Sequence, residues 1–310
     1  MKYAACIGAG VVGRAWAVVF ARAGYEVSLY DAKPGEVAEQ SIPGAHRMLS
    51  LLDDYGLLAE SVDVIAGRIR AASSITEAVS GASYVQESVR EDVAVKRQVF
   101  AEIGAQAPAD AILASSTSAI PGSDFLTDIP HPERALVVHP VNPPAFIPLV
   151  ELCGTPLTAA EIIADVKTLM HEAGMRPIVL NKEIDGFILN RLQFTLVAEA
   201  LHLVGEGYCS ADDIDMVLTE GLALRWASIG PFEVAHLNAP DGVQGFVDRL
   251  GPMMKRLGAD ARTDYDWTPP QIAAIHEQLK KRVPLDSIKE RQHWRDERIL
   301  ALRALKRDAG

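Results

Sequence analysis

Along the first 180 residues, short apolar runs alternate with segments of helical period; after that, only helical patterning remains. An apolar stretch from Tyr3 leads into a glycine-rich turn at residues 8–13, then a helical pattern, Gly24, and a strand-like Glu26–Tyr30 closed by Asp31. Further strands are predicted at Ser83–Glu87, Ala111–Ser115, Arg134–His139, Ile147–Cys153 and Met175–Leu180. Helices are predicted at Asp92–Ala107 and Thr158–Ala173, while residues 34–60 read as a helical segment interrupted by Pro34, Pro43 and Gly44. Strands and helices in alternation predict an α/β fold with a mostly parallel, doubly wound Rossmann-type sheet. Ligands of such sheets sit at the carboxyl ends of the strands, where Glu87, Ser115–Ser118 and His139 fall.

From about Glu183 an all-helical C-terminal domain is predicted, giving domains of 1–183 and 184–310. Glu183–Val204 is apolar on more than one face, the pattern of a buried helix. Ser210 with Asp213 fits an N-cap, a further helix starts near Pro231, and the His293–Arg307 tail places Ile299, Leu302 and Leu305 at helical spacing. So much apolar surface in a modest helical domain predicts a homodimer packed through it.

Composition adds exclusions. The 310 residues are 49% hydrophobic and 23% charged, ordinary for a soluble globular protein, and no apolar run reaches the length of a membrane helix. The start of the chain lacks a signal-peptide layout, so a cytoplasmic location is expected. A net charge of −11 argues against nucleic acid or anionic membrane as the partner. Cys6, Cys153 and Cys209 are widely spaced and odd in number, which suggests three buried small hydrophobes and neither a disulfide framework nor a metal site.

Gly8-Ala9-Gly10-Val11-Val12-Gly13 follows a strand and opens a helix, and Asp31 comes 18 residues after the last glycine. In that context the motif predicts a dinucleotide site formed by Gly8, Gly10, Val11, Val12, Gly13 and Asp31. Gly8 permits the tight turn, Gly10 admits the pyrophosphate, and Gly13 lets the helix pack close to the sheet. The helix N-terminus offers N–H groups and its positive dipole end to the phosphates. Asp31 would accept from both ribose hydroxyls and repel a 2′-phosphate, which favours NAD as cofactor.

Residues 137–152 read VVHPVNPPAFIPLVEL: a strand ending in His139, a proline-rich turn, and a second strand carrying Glu151 twelve residues later. Taken separately, His139 fits a satisfied structural residue at a strand end, and Glu151 a solvated or strand-edge carboxylate. With a nicotinamide at the same edge of the sheet they fit a proton-handling pair. Alcohol oxidation removes a hydride from carbon and a proton from oxygen, and imidazole is the usual base. A carboxylate on its other ring nitrogen fixes the tautomer and steadies the imidazolium.

HPVNPP with LVE after it, the preceding SSTS and the later DGFILNRL resemble the 3-hydroxyacyl-CoA dehydrogenase family. GLALRWASIGP and RQHWRDE extend the likeness over nearly the whole chain, nearest to the family's lambda-crystallin and L-gulonate 3-dehydrogenase branch. The resemblance implies that His139 is the catalytic base and Glu151 its partner. It implies that Ser118 bonds substrate oxygen or nicotinamide, that Asn190 helps hold the reacting group, and that Asn142 is the asparagine of the family's HxxNP turn on the cofactor side. It also puts Glu91 and Lys96 near the cofactor ribose. Structural readings compete with these: Ser118 could satisfy strand-end backbone groups, and Asn190 could bond a neighbouring helix.

The resembled family divides between acyl-CoA thioesters and small free acids. Coenzyme A brings several phosphate charges, yet residues 34–60 contain only Arg47 and His46 against Glu36, Glu39, Asp53, Asp54 and Glu60. A free carboxylate wants one well-placed guanidinium, and Arg225 in GLALRWASIGP is the candidate; an internal salt bridge is its alternative role. The expected partner is therefore a small L-3-hydroxy acid, with 3-hydroxyacyl-CoA or L-carnitine as alternatives. Crystallin-like structural use is the reading from a different class.

Overall fold

The computed structural model describes residues 2–265 and 267–308. The first compact unit comprises residues 1–190 together with 293–310, and the second residues 191–292. In the first unit β1 (Lys2–Ile7), α1 (Val11–Arg22), β2 (Tyr25–Tyr30), α2 (Ile42–Asp54), α3 (Val62–Ala66) and β3 (Ile69–Ala71) form one wing. There follow α4 (Ile75–Val79), β4 (Tyr84–Glu87), α5 (Val93–Gln106), β5 (Ile112–Ser115), β6 (Ala135–Pro140), β7 (Leu149–Gly154), α6 (Ala160–Glu172) and β8 (Arg176–Val179). The described strands lie in one sheet of order β3-β2-β1-β4-β5-β6-β7-β8. The order in which strands are added reverses between β1 and β4, and that is the switch point where such sheets open a crevice for ligand.

Every neighbouring pair is parallel except β6 and β7. The turn between those two strands is too short for the crossover a parallel pair needs, so the chain folds back on itself. Their register sets His139 opposite Glu151.

Successive side chains of a strand point to opposite faces. Ala4 and Cys6 of β1, Leu136 and Val138 of β6, and Val150 and Leu152 of β7 join one apolar core with Trp16 and Leu49. Ala5, Ile7, Val137 and Cys153 join the other with Phe100, Phe125 and Phe187. His139 and Glu151 alternate onto this second face, where both are buried.

The interrupted region 34–60 resolves into a π-helical turn, Glu36–Ser41, running into α2 with Pro43 in its first turn, where a missing N–H costs nothing. The short β3, α3 and α4 carry too few periodic positions to have been read from the sequence.

Helix α7 (Leu189–Gly205) starts later than predicted, because Gly186 and Phe187 both adopt left-handed backbone ahead of it. The burial expected for it is not found: none of its residues is buried, and Leu192 and Phe194 are 68% and 59% exposed. An apolar helix surface demands a cover but does not say which chain supplies it.

The second unit continues with α8 (Ala211–Met216), α9 (Ala223–Trp226), α10 (Pro231–Leu237), α11 (Gly242–Asp260) and α12 (Pro269–Arg282). Ser210 N-caps α8 as predicted, and Asp213 completes a reciprocal capping box with it. Cys6 and Cys153 are buried as expected, but Cys209 is only partly so.

The last helix, α13 (Ile288–Asp308), departs from the expected division. From His293 onward it belongs to the first unit. Leu300 is fully buried in the α1 core, with Ile299 packed partly against it. Two apolar positions among many charges were enough to bring the tail home, a partner choice that periodicity does not encode. Replacing Leu300 with Ala should therefore destabilise the first unit by about 2–5 kcal/mol, as for other fully buried leucines; chemical denaturation would measure it, and an effect below about 0.5 kcal/mol, the surface-site range, would contradict this packing.

Candidate active site

The glycine loop is crowded on one side and open on the other. Gly8 has φ +91°, and a Cβ there would lie 2.7 Å from the backbone of Ser88. A Cβ on Gly13 would stand 1.7 Å from the carbonyl oxygen of Gly8. Gly10, by contrast, has nothing within 4 Å of where a Cβ would be, and it N-caps α1 without a side-chain cap. The first amides of α1, at Val11 and Val12, are left for a ligand at the helix N-terminus. Asp31, at the end of β2, accepts from Ala9 N at 2.8 Å and Lys33 N at 2.9 Å. The carboxylate is thus locked beside the loop with lone pairs to spare for further donors.

Two serines support this loop, Ser41, which sequence reasoning did not single out, and Ser116, within the Ser115–Ser118 run placed at the strand ends. Ser41, fully buried, donates to the carbonyl of Ala9 at 2.6 Å. Ser116 receives Trp16 Nε1 at 3.1 Å and Gln86 Nε2 at 2.7 Å, and shares a 2.9 Å bond with Ser88. These contacts join distant segments, and no local pattern announces them.

His139 ends β6, 4% exposed, and its Nδ1 lies 2.7 Å from Glu151 Oε2. A carboxylate only accepts, so Nδ1 carries the proton and Nε2 is the free, basic nitrogen. The other Glu151 oxygen accepts from the amides of Ile188 and Leu189, each at 3.0 Å, where α7 begins. Phe187, buried with φ +50°, lies 5.3 Å from the imidazole, ring centre to ring centre. Left-handed backbone at a bulky residue costs on the order of 1–3 kcal/mol. Here it turns two amides onto the carboxylate and seats a ring against the histidine. Phe187 was missed from sequence, although the adjacent Gly186 marked a turn.

Ser118 and Asn190 come together: Asn190 Nδ2 donates to Ser118 O at 2.6 Å. The Ser118 hydroxyl makes no hydrogen bond to any described residue and is exposed beyond β5. Gly186 N also bonds Ala119 O at 3.1 Å, so the serine turn and the entry to α7 are laced together. Asn142 stands exposed in the turn after β6, before a cis Pro143.

Glu91 and Lys96 are both engaged within the protein, 3.5 Å from each other. Glu91 Oε1 accepts from Thr117 Oγ1 at 2.6 Å, Ser118 N at 2.7 Å and Ala119 N at 3.1 Å. Partial burial alone would push its carboxyl up, but the Thr117 hydroxyl, Lys96 and those amides together hold it below the usual range. Lys96 is 1% exposed and bonds both oxygens of fully buried Glu87, at 3.0 and 3.1 Å. Burial raises the Glu87 carboxyl against the opposing pull of Lys96 and Ser115. The ammonium therefore serves the interior beneath the serine turn, not an open pocket edge. An exposed lysine and a buried one look alike in sequence.

Arg225 sits on α9 in the second unit; it is exposed and has no ion-pair partner among the described residues, so the internal salt bridge considered for it is not formed. No group of three or more His, Cys, Asp or Glu able to hold a metal occurs among the described residues, and no helix there is long and apolar enough to cross a membrane.

A switch-point glycine loop, an acid closing the second strand and a carboxylate-steered histidine at the same sheet edge define a nicotinamide-dependent dehydrogenase. Known proteins agree. The family described as 3-hydroxyacyl-CoA dehydrogenase, NAD binding domain, matches residues 3–184, and its C-terminal domain matches residues 186–269. The lambda-crystallin homolog of Bos taurus is 38% identical, over 97% of this chain and 95% of its own length. An L-carnitine dehydrogenase of Oceanobacillus iheyensis is 35% identical, over 91% of this chain and 88% of its own. Among solved structures, FHMPC 5-dehydrogenase, an NAD+ dependent dismutase, superposes with TM-score 0.85 at 28% identity, covering 98% of both chains. A (S)-3-hydroxybutyryl-CoA dehydrogenase from Ralstonia eutropha gives TM-score 0.66 at 25% identity, covering 81% of this chain and 87% of that one. The chain belongs to the 3-hydroxyacyl-CoA dehydrogenase family, and it is an NAD-dependent oxidoreductase acting on CH–OH groups.

The crowding at Gly13 leaves no room for a methyl group. Gly13→Ala should abolish or severely weaken NADH binding while the fold persists, read by NADH fluorescence beside circular dichroism; wild-type affinity would contradict the packing described.

Proposed function

We propose that this enzyme oxidises the 3-hydroxyl of a small L-3-hydroxy acid, with His139 as general base. The observation that carries the reading is the buried 2.7 Å contact of His139 Nδ1 with Glu151, which leaves Nε2 as the proton acceptor. Ser118 and Asn190 hold the alcohol and the forming carbonyl, a role supported by the unengaged Ser118 hydroxyl. When bound, the nicotinamide supplies the hydride acceptor. Gly8, Gly10, Val11, Val12 and Gly13 seat its pyrophosphate and Asp31 its ribose, with Asn142 on the cofactor side. Glu91 and Lys96 belong to the proposal as supports of the serine turn. As the proton moves to Nε2, the charge that develops on the ring is met by Glu151, whose own position is fixed by the Ile188 and Leu189 amides.

Two features support a free acid over a coenzyme A thioester. The 34–60 segment is acidic where several phosphates would want cations. Arg225, uncommitted to any carboxylate among the described residues, remains the candidate for the substrate's carboxylate on chemical grounds. Relatives named as L-carnitine dehydrogenases keep a second substrate in view. The exposed apolar residues of the second unit, with Phe232 at 83% and Leu237 at 66%, support a homodimer through that unit; a sedimentation run showing a stable monomer would reject it.

His139→Gln should lower kcat by about 10²–10⁴, the usual worth of a general base, with NAD binding preserved; near-normal turnover would reject the role. A panel of L-gulonate, L-3-hydroxybutyrate, L-carnitine and 3-hydroxybutyryl-CoA at fixed NAD, compared as kcat/KM, decides the substrate class. Turnover of the thioester alone would overturn the free-acid reading. Arg225→Ala should raise KM for the acid strongly and leave NAD affinity intact; an unchanged KM removes Arg225 from the proposal.

A further inference from the structure

The turn that joins His139 to Glu151 is held by the far end of the chain. Ala145 lies six residues after His139 and six before Glu151, at the middle of the connection. Arg303 of α13 donates through one nitrogen to Ala145 O at 3.1 Å and Phe146 O at 2.9 Å. Arg22, in the last turn of α1, reaches the same Ala145 oxygen at 3.4 Å. Pro143, Pro144, Ala145 and Phe146 are buried, with Phe146 in the same core as Leu300.

Two guanidinium groups converging on one carbonyl, partly out of water, is a costly arrangement. Neither has a carboxylate partner among the described residues. Burial, and then the nearby Arg303, pushes the Arg22 guanidinium down to about 10. Burial, and then Arg176, likewise lowers Arg303. Such a cost persists where the groups do something a neutral side chain could not. What they do here is tie down the backbone of a turn whose two ends carry the proton-handling pair. Proline restricts φ within that turn but supplies no donor to fix where it lies. The arginines provide those donors.

We propose that Arg303, assisted by Arg22, is a positioning residue for the reaction: by holding the Ala145 and Phe146 carbonyls it sets the His139–Glu151 alignment, so the C-terminal helix is part of the catalytic apparatus. This rests on His139 being the base. Arg303 touches neither substrate nor cofactor in this account, and its influence passes entirely through the turn.

The test uses the full-length protein with NAD and whichever panel substrate turns over, comparing wild type, Arg303→Gln, Arg303→Lys, Arg22→Gln and His139→Gln. The proton NMR line of an imidazole N–H bonded to carboxylate lies far downfield and is assigned by its loss in His139→Gln. Arg303→Gln should broaden that line and lower kcat about 10- to 100-fold, the scale of an ångström-sized misplacement, with KM for NAD unchanged. Arg303→Lys should recover part of both signals, and Arg22→Gln should give a smaller fall. If Arg303→Gln does not fold, the lysine variant and Arg22→Gln carry the same comparison. Variants that lose thermal stability but keep a sharp line and full kcat per folded molecule would overturn the clamp. Normal turnover by His139→Gln would instead overturn the base assignment, a separate failure.

Discussion

The contact between His139 and Glu151 organises the rest of the first unit. Each partner is buried, and each would be expensive to bury alone; removing one partner of such a pair leaves an uncompensated polar group worth about 3–5 kcal/mol. The antiparallel register of β6 and β7 sets the residues opposite one another, and strand alternation turns both to the same face. Glu151 then spends its second oxygen on two amides at the start of α7. One carboxylate thereby fixes a tautomer, a ring orientation and the entry of a helix.

From that helix entry the constraint spreads outward. The Gly186–Asn190 segment meets the serine turn through Ala119 and Ser118, and Glu91 gathers that turn's amides beneath. Lys96 ties Glu91 to Glu87 at the end of β4, next to the glycine loop backed by Ser88. Ser118, Asn190 and the glycine loop are thus connected by polar contacts inside one compact unit. The polar contacts are dense beneath the loop, while the space beside Gly10 stays open.

Much of this was legible from the residues in order. The glycine spacing with Asp31 announced a dinucleotide site, because backbone sterics at a strand–turn–helix junction admit few residues. The pair twelve apart had a chemical reading before it had a geometric one. Glu91, Lys96 and Arg225 were less legible, since a charged side chain near a site can face ligand, water or another charge. Lys96 faces Glu87, and Arg225 faces solvent in the chain as described.

Local pattern by itself determined the alternating α/β order and the cofactor class, and it singled out the His139–Glu151 pair, since each depends on steric or chemical demands met within a few residues. Tertiary structure alone decided that β7 runs against β6, that Phe187 takes a strained turn to aim two amides, and that α13 returns to pack Leu300 and Arg303 on the first unit. Those outcomes depend on which surfaces meet across long separations in the chain. The free energy that selects them comes from burying particular apolar faces and pairing particular polar groups, and neither is written in the spacing of neighbouring residues.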